Sequence, residues 1–456
     1  MNLSQGIAQN PAPPAAELRR AGNLPLTRST RAALWALLAV FVVFGGIVEM
    51  RSAFLKRRLT DVDVFFRGAW AVRSGIDMYS VTETHGWHYN YPPLFAILMT
   101  PLASPPPGSD ETGMLPYPVS VAVWYVANVA FVWLAVHWLA SALARAAPEP
   151  WAFARHSRGW WAIRILPVLL CLTLIGRSLS RGQSNLLLLL LFCGTIALLI
   201  RDRRFAAGIC LAGAICIKVF PGFLLIHPLV RGDFRFLAGA GAGLFCGLLL
   251  IPAVALGPAR TVDAYRRFDQ VMLRPGLRIG SDTTREDELT KGRYSQGFMM
   301  IARNLLHPRR ETRPHEIGRS LHLLHWGLAT LLTAATLFIR KRPRRQDPIS
   351  EVLFMGALMV IMLPISPACH VHYFVFALPL VMALLADAWE RFPFPSIGPR
   401  LSALFGIVIG ADILTALPWT DNWLRELGVP LYAGLALWAI GLYTLRRRAR
   451  EATISP

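Results

Sequence analysis

The sequence predicts an all-α, polytopic membrane protein. Only 16% of the 456 residues are charged, against 54% hydrophobic, whereas a soluble globular chain carries about a quarter charged residues. Apolar runs at 32–50, 183–200, 236–256 and 350–364 lie between arginine clusters, the pattern of helices that cross a bilayer. Mean hydropathy is +0.44. Soluble enzymes, coiled coils and disordered scaffolds are excluded. The 47 Lys and Arg against 27 Asp and Glu leave a net charge of +20. These cations punctuate the helices instead of forming one stripe, so they fix topology and meet anionic membrane lipids. No nucleic-acid partner is expected.

Residues 1–31 are polar, rich in Pro and Ala, and unlike a signal peptide; they read as a disordered cytoplasmic tail. Arg19, Arg20, Arg28 and Arg31 precede the first crossing, 32–50, and place the N-terminus inside. Crossings follow at 117–141, 160–179 and 183–200, with Arg145, Arg155, Arg158, Arg201, Arg203 and Arg204 in the turns. The stretch 205–230 reads as a hairpin of two short helices broken at Lys218-Val219-Phe220-Pro221, because proline disfavours helix before it and removes a donor. That break keeps Arg231 and Arg235 inside, as it does the later clusters at Lys341–Arg345 and Arg446–Arg448. Further crossings at 236–256, 321–339, 350–364, 370–388, 398–418 and 429–445 bring the total to about twelve, with both ends cytoplasmic. The transmembrane domain is thus 32–445, followed by a basic cytoplasmic tail, 446–456.

Two large outer loops result, 51–116 and 257–320, and they point to work done on the outer face. Lys56, Arg57 and Arg58 lie in the first, against the positive-inside rule. Six scattered cysteines show no metal or disulfide spacing and read as small buried residues.

In the first loop, Val62, Phe65, Phe66, Ala69 and Val72 recur at helical spacing after Asp61, predicting an amphipathic helix on the membrane. Asp61 fits either a helix-start residue favoured by the macrodipole or a chemical group. Asp63 points to roughly the opposite side, so the two are no facing carboxylate pair. Trp87-His88-Tyr89-Asn90-Tyr91-Pro92-Pro93-Leu94 supplies aromatic faces suited to a membrane belt or a sugar ring. Arg181-Gly182-Gln183-Ser184-Asn185 is a polar outer turn. Lys218 is an ionisable group in an apolar stretch, open to a structural partner or to function. Gln296 lies in Tyr294-Ser295-Gln296-Gly297-Phe298 of the second loop. His370 and His372 stand at an outer helix end as a hydrogen-bonding cluster or half a metal site, without a nearby carboxylate to complete one.

In this order the pieces resemble glycosyltransferase family 87. Asp61 before its helix, Gly75 to Tyr79, Tyr91-Pro92-Pro93-Leu94, Gly182-Gln183-Ser184-Asn185, Gly208 to Pro221, Ser295-Gln296-Gly297 and Ser366-Pro367 to His372-Tyr373 carry the resemblance, from about residue 60 to 385. Where the family often has Asn-Gln-Ser this chain has Ser295-Gln296-Gly297, and in place of Trp-x-His-His it has His370-Val371-His372-Tyr373.

The resemblance implies the GT-C fold and a multi-pass cell-membrane enzyme. It implies transfer of a hexose, mannose foremost, from a polyprenyl-phosphate donor to a glycan or glycolipid acceptor at the outer face, with inversion and no cofactor or metal. It places the catalytic base at Asp61. The chemistry then calls for cations to receive the leaving phosphate, and Lys218 with Lys56, Arg57 and Arg58 are those available. Tyr91, Gln183, Asn185, Gln296, His370 and His372 are the expected substrate contacts. The rival readings are a transporter of lipid-linked saccharide and an inactive homologue that only binds it. A transporter places polar groups along a mid-bilayer path; here they gather on one side.

Overall fold

The computed structural model of the chain describes residues 27–55, 60–84, 86–146, 157–274, 294–309, 317–339, 347–366, 368–391 and 421–454, with isolated positions between them. The tail expected over 1–31 lies outside these as far as residue 26, as do Lys56, Arg57 and Arg58, and almost all of the crossing expected at 398–418. The described residues are helical and bear out the all-α class, and they form a multi-pass membrane protein. Among them seven helices are long and apolar enough to cross a membrane, and an eighth if one bent pair is a single span; three shorter apolar helices accompany them.

Helix α1, Arg28–Leu55, starts where Thr27 caps the Thr30 N–H and ends in a π-helical turn. It is little buried, with Trp35, Val42, Val43 and Phe54 facing outward, as a lipid-facing helix should be. The centre is the opposite. In α14, Pro348–Ile365, and the span Val371–Glu390, 89% and 94% of the most apolar stretch is buried against protein. A helix apolar on all sides belongs at the middle of a bundle, and α14 is apolar from Val352 to Leu363. The second of these spans opens as a 3₁₀ turn, Val371–Ala377, before α15, Leu378–Arg391.

Around that centre lie α4, Tyr117–Ala146, the pair α5, Arg158–Leu170, and α6, Leu172–Arg181, and α7, Asn185–Ile200. The expected single crossing over 160–179 is instead bent by 59° between α5 and α6. Cys171 between the two helices leaves helical geometry, and the bend falls there, one turn beyond Pro167.

The break expected at Lys218 is present. Helix α8, Arg204–Ile217, ends there; Lys218 is extended, a 3₁₀ turn follows over Phe220–Leu225, and α9 spans Ile226–Arg231. Arg204 Nη1 reaches Asp233 Oδ2 at 3.2 Å, so the chain returns to the end where α8 began. Next, α10, Phe234–Leu256, packs on α8 backbone to backbone. A Cβ on Gly208 would collide with the Phe236 carbonyl, and one on Gly239 with the Phe205 carbonyl. Small residues at such spacing let helices approach in a membrane.

The two large loops are built on short helices: α2, Thr60–Arg73, and α3, Pro93–Leu98, in the first; α11, Pro258–Phe268, and α12, Phe298–Leu306, in the second. The expectation for α2 needs correcting in one respect. Its apolar face does not lie on a lipid surface: Val62, Phe65, Phe66 and Ala69 are buried in the protein core with Phe95, Trp124 and Leu186. Among the cysteines, Cys246 is exposed on α10 while Cys171, Cys193, Cys216 and Cys369 are buried. Helices α13, Arg319–Ile339, α16, Asp421–Glu426, and α17, Val429–Ile454, complete the described chain.

Candidate active site

The site forms where α2, the α6–α7 turn, the end of α8 and the start of the Val371–Glu390 span converge. Its anchor is the turn at Gly182. This residue adopts φ +63°, the left-handed region, and a Cβ there would approach Val62 to 2.6 Å. Trp124 Nε1 donates to the Gly182 carbonyl at 2.7 Å. The turn is therefore locked between α2 and α4, and it fixes Gln183 and Asn185 as they enter α7.

Lys218 meets that turn. Its Nζ donates to Asn185 Oδ1 at 2.8 Å and Gln183 Oε1 at 3.3 Å. It also lies 4.6 Å from the Tyr373 ring centre and 5.3 Å from that of Tyr91, within cation–π range. Tyr91 donates a long 3.5 Å bond to Gln183 Oε1. The ammonium is buried, and the polar partners it holds are neutral amides. Such a set orients the amine, while burial works against its charged form and the Asp61 charge works for it.

Asp61 stands in the first turn of α2, partly exposed, with Oδ2 3.4 Å from Arg181 Nη1. Its charge acts on Lys218, Tyr91, Tyr373 and His370, so the carboxylate borders the same space as the ammonium. Asp63, two residues on, is fully buried and accepts from Thr84 Oγ1 at 3.4 Å. The two carboxylates have separate surroundings, as their spacing implies.

The third wall is the turn that opens the Val371–Glu390 span. His370 and His372 stack with ring centres 5.5 Å apart, and both rings meet Tyr373 edge-on. Asn185 and Ser178 donate to the His372 carbonyl at 3.5 and 3.4 Å. Burial pushes the His370 imidazole down to about 4; Arg181 and Lys218 push the same way and Asp61 opposes them. Burial likewise raises the Tyr91 phenol well above its ordinary range, with Tyr373, Asp61 and Tyr89 adding to it. His372 Nε2 and Ser184 Oγ are buried with no hydrogen-bond partner among the described residues. Unpaired buried polar atoms of this kind need a ligand or water to satisfy them.

The structure thus brings together Asp61, Lys218, Tyr91, Gln183, Asn185, His370 and His372. Gln296 bonds to backbone instead of to Lys218: its N–H donates to the Cys369 carbonyl and its Nε2 to the Tyr294 and Arg425 carbonyls. It pins the second outer loop beside His370. Lys56, Arg57 and Arg58 lie outside the described residues. Two further contributors emerge. Arg181, within the polar turn, pairs with Asp61, and Tyr373 covers Lys218 and both histidines. Tyr373 had a sequence signal, an aromatic directly after His370-Val371-His372. Arg181 had none that separates it from an ordinary basic turn residue.

Among the described residues no three His, Cys, Asp or Glu side chains converge as a metal set. A partly exposed carboxylate, a buried lysine amine and flanking rings can take a proton from a hydroxyl, hold a phosphate and pack against a sugar.

The family model of glycosyltransferase family 87 matches residues 89–367. That span includes Tyr91, Gln183, Asn185, Lys218 and Gln296, with Asp61 before it and His370 and His372 just after. No curated protein matches the chain. Among solved structures, the crystal structure of ArnT from Cupriavidus metallidurans bound to undecaprenyl phosphate is 16% identical, over 92% of this chain and 78% of that one, with a TM-score of 0.38. A likeness that loose assigns no residues.

Proposed function

The chain belongs to glycosyltransferase family 87, and on that footing we propose that it transfers a hexose, mannose foremost, from a polyprenyl-phosphate donor to a glycan or glycolipid hydroxyl at the outer face of the cell membrane. The observation that carries this reading is Lys218: a buried ammonium, oriented by Gln183 and Asn185 and flanked by Tyr91 and Tyr373. A phosphate monoanion or dianion is the natural complement of such a cation. The outer-face placement is supported by α8. Lys218 follows its last residue, about 20 Å along the axis from Arg204, and Arg204 lies at the arginine-rich end that belongs inside.

In the proposed reaction the acceptor oxygen attacks the anomeric carbon while Asp61 takes its proton. The bond from that carbon to the phosphate oxygen breaks, and the electron pair leaves with the polyprenyl phosphate toward Lys218. Attack opposite the leaving group inverts the anomeric centre. Arg181 holds the Asp61 carboxylate at the site edge, and His372 Nε2 and Ser184 Oγ are available to sugar hydroxyls.

The test is direct. Purified protein is given a panel of polyprenyl-phosphate hexoses with membrane glycolipid extract, and release of polyprenyl phosphate is measured. Release from one hexose, with transfer of inverted configuration, is expected. No release from any member of the panel overturns the reading.

A further inference from the structure

At the opposite end of the bundle the arginines divide into two sets. Arg204 pairs with Asp202 and Asp233, Arg231 with Glu351, and Arg447 and Arg448 with Asp387, Asp347 and Glu390. The other set includes Arg145 in the last turn of α4, Arg164 within α5, Arg201 at the end of α7 and Arg203 before α8. Among the described residues none of these four pairs with a carboxylate. They are neighbours: Arg145 and Arg203 act with partial burial to hold Arg201 below its ordinary pKa, and the charges of Arg164 and Arg145 both reach His137.

Arg164 is buried and held only by neutral groups. Its guanidinium lies 3.7 Å over the Trp160 ring, Nη1 donates to the Trp160 carbonyl at 2.8 Å, and Nη2 donates to Ser141 Oγ at 3.0 Å. Its Nε has no partner among the described residues. Beside it His137 stacks on Trp133 with centres 5.3 Å apart and planes 15° apart, and Trp133 is 63% exposed. A polar end of unbalanced cations therefore continues into an outward-facing aromatic wall.

We infer that this surface, between α4 and α5, docks an anionic phospholipid of the cytoplasmic leaflet, its phosphate at the arginines and an acyl chain along Trp133. Charge complementarity requires an anion. Depth selects a lipid over an acidic soluble partner: Trp133 lies thirteen residues, about 20 Å, back along α4 from its arginine-bearing end, where only a membrane molecule reaches. The neutralised arginines at the same end show that topology alone does not demand bare charge.

The experiment places the full-length chain in nanodiscs of neutral lipid containing brominated phosphatidylglycerol or brominated phosphatidylcholine at equal mole fraction. The Trp133 emission is isolated as the difference between wild type and Trp133→Phe. Expected is stronger quenching by the anionic lipid, with the preference falling about fivefold for each of Arg145→Gln and Arg201→Gln. Both positions are exposed, so the variants fold. Native mass spectrometry gives a second reading, with phosphatidylglycerol retained over phosphatidylcholine by wild type and not by the double variant. Equal quenching and equal retention of the two lipids, or a preference untouched by the arginine variants, overturns the inference.

Discussion

A helix-start aspartate and a catalytic base make different demands on one side chain, and Asp61 separates them cleanly. Asp61→Asn keeps the short polar group in the first turn of α2 and forgoes a macrodipole interaction of about 0.3–1 kcal/mol. It leaves no group able to take a proton, so turnover should fall about 10²–10⁴-fold with donor binding preserved. Asp63→Asn changes a fully buried carboxylate and should lower the yield of folded protein more than turnover per folded molecule. Near-normal turnover of Asp61→Asn would place the base elsewhere. Lys218→Met should raise the donor KM about ten- to a hundredfold, the loss of a charge-assisted hydrogen bond worth about 1.5–3 kcal/mol. It should not destabilise the fold, because it also removes a buried charge; unchanged donor kinetics would make Lys218 structural. His370 is held down to about 4, so it has already lost its proton well below pH 6 and stays neutral above. The profile of kcat/KM between pH 5.5 and 7.5 should therefore carry no ionisation from it, and His370→Gln should shift the profile's height and leave its shape.

At the scale of elements, the α8–α10 contact positions Lys218, and its glycines are the place to disturb it. Gly208→Val sets a branched side chain against the Phe236 carbonyl, a collision no rotamer relieves. The pair must separate, moving the end of α8. Loss of activity with Lys218 intact, together with a lowered melting temperature, is expected, while Gly241→Ala, with open space around it, should behave as wild type. The sequence made some of this legible. The break at Lys218 was readable because proline acts locally. The destination of α2 was not: an apolar stripe of Val62, Phe65, Phe66 and Ala69 looks the same whether it meets lipid or Trp124. The bend between α5 and α6 was not legible either, because hydropathy spreads evenly across Cys171.

Over the whole molecule, the order of motifs along the chain gave the members of the site, since Gln183, Asn185 and Lys218 were all singled out. Their pairing was not legible, because hydrogen bonds across more than thirty residues leave no periodicity. The inner end was less legible still: Asp347, Asp387 and Glu390 carried no pattern that called for Arg447 and Arg448. Those two arginines sit near the end of α17 and join α14 and α15, Arg448 reaching Asp347 at 2.6 Å, Asp387 at 2.9 Å and Glu390 at 3.1 Å. Stopping the chain after Leu445 leaves these carboxylates unanswered, and breaking a buried pair on one side costs about 3–5 kcal/mol. Such a protein should be scarce in membranes by size-exclusion fluorescence, whereas a chain stopped after Arg450 should accumulate normally; equal amounts would show the pairs to be dispensable. The same contacts set a schedule for biosynthesis. The two most deeply enclosed helices are made and inserted before the residues that balance them, so they must wait in the bilayer with their acidic ends unpaired. The bundle is latched only once α17 has been made, and until then a quality-control protease meets a nascent chain whose core is present and whose clasp is not.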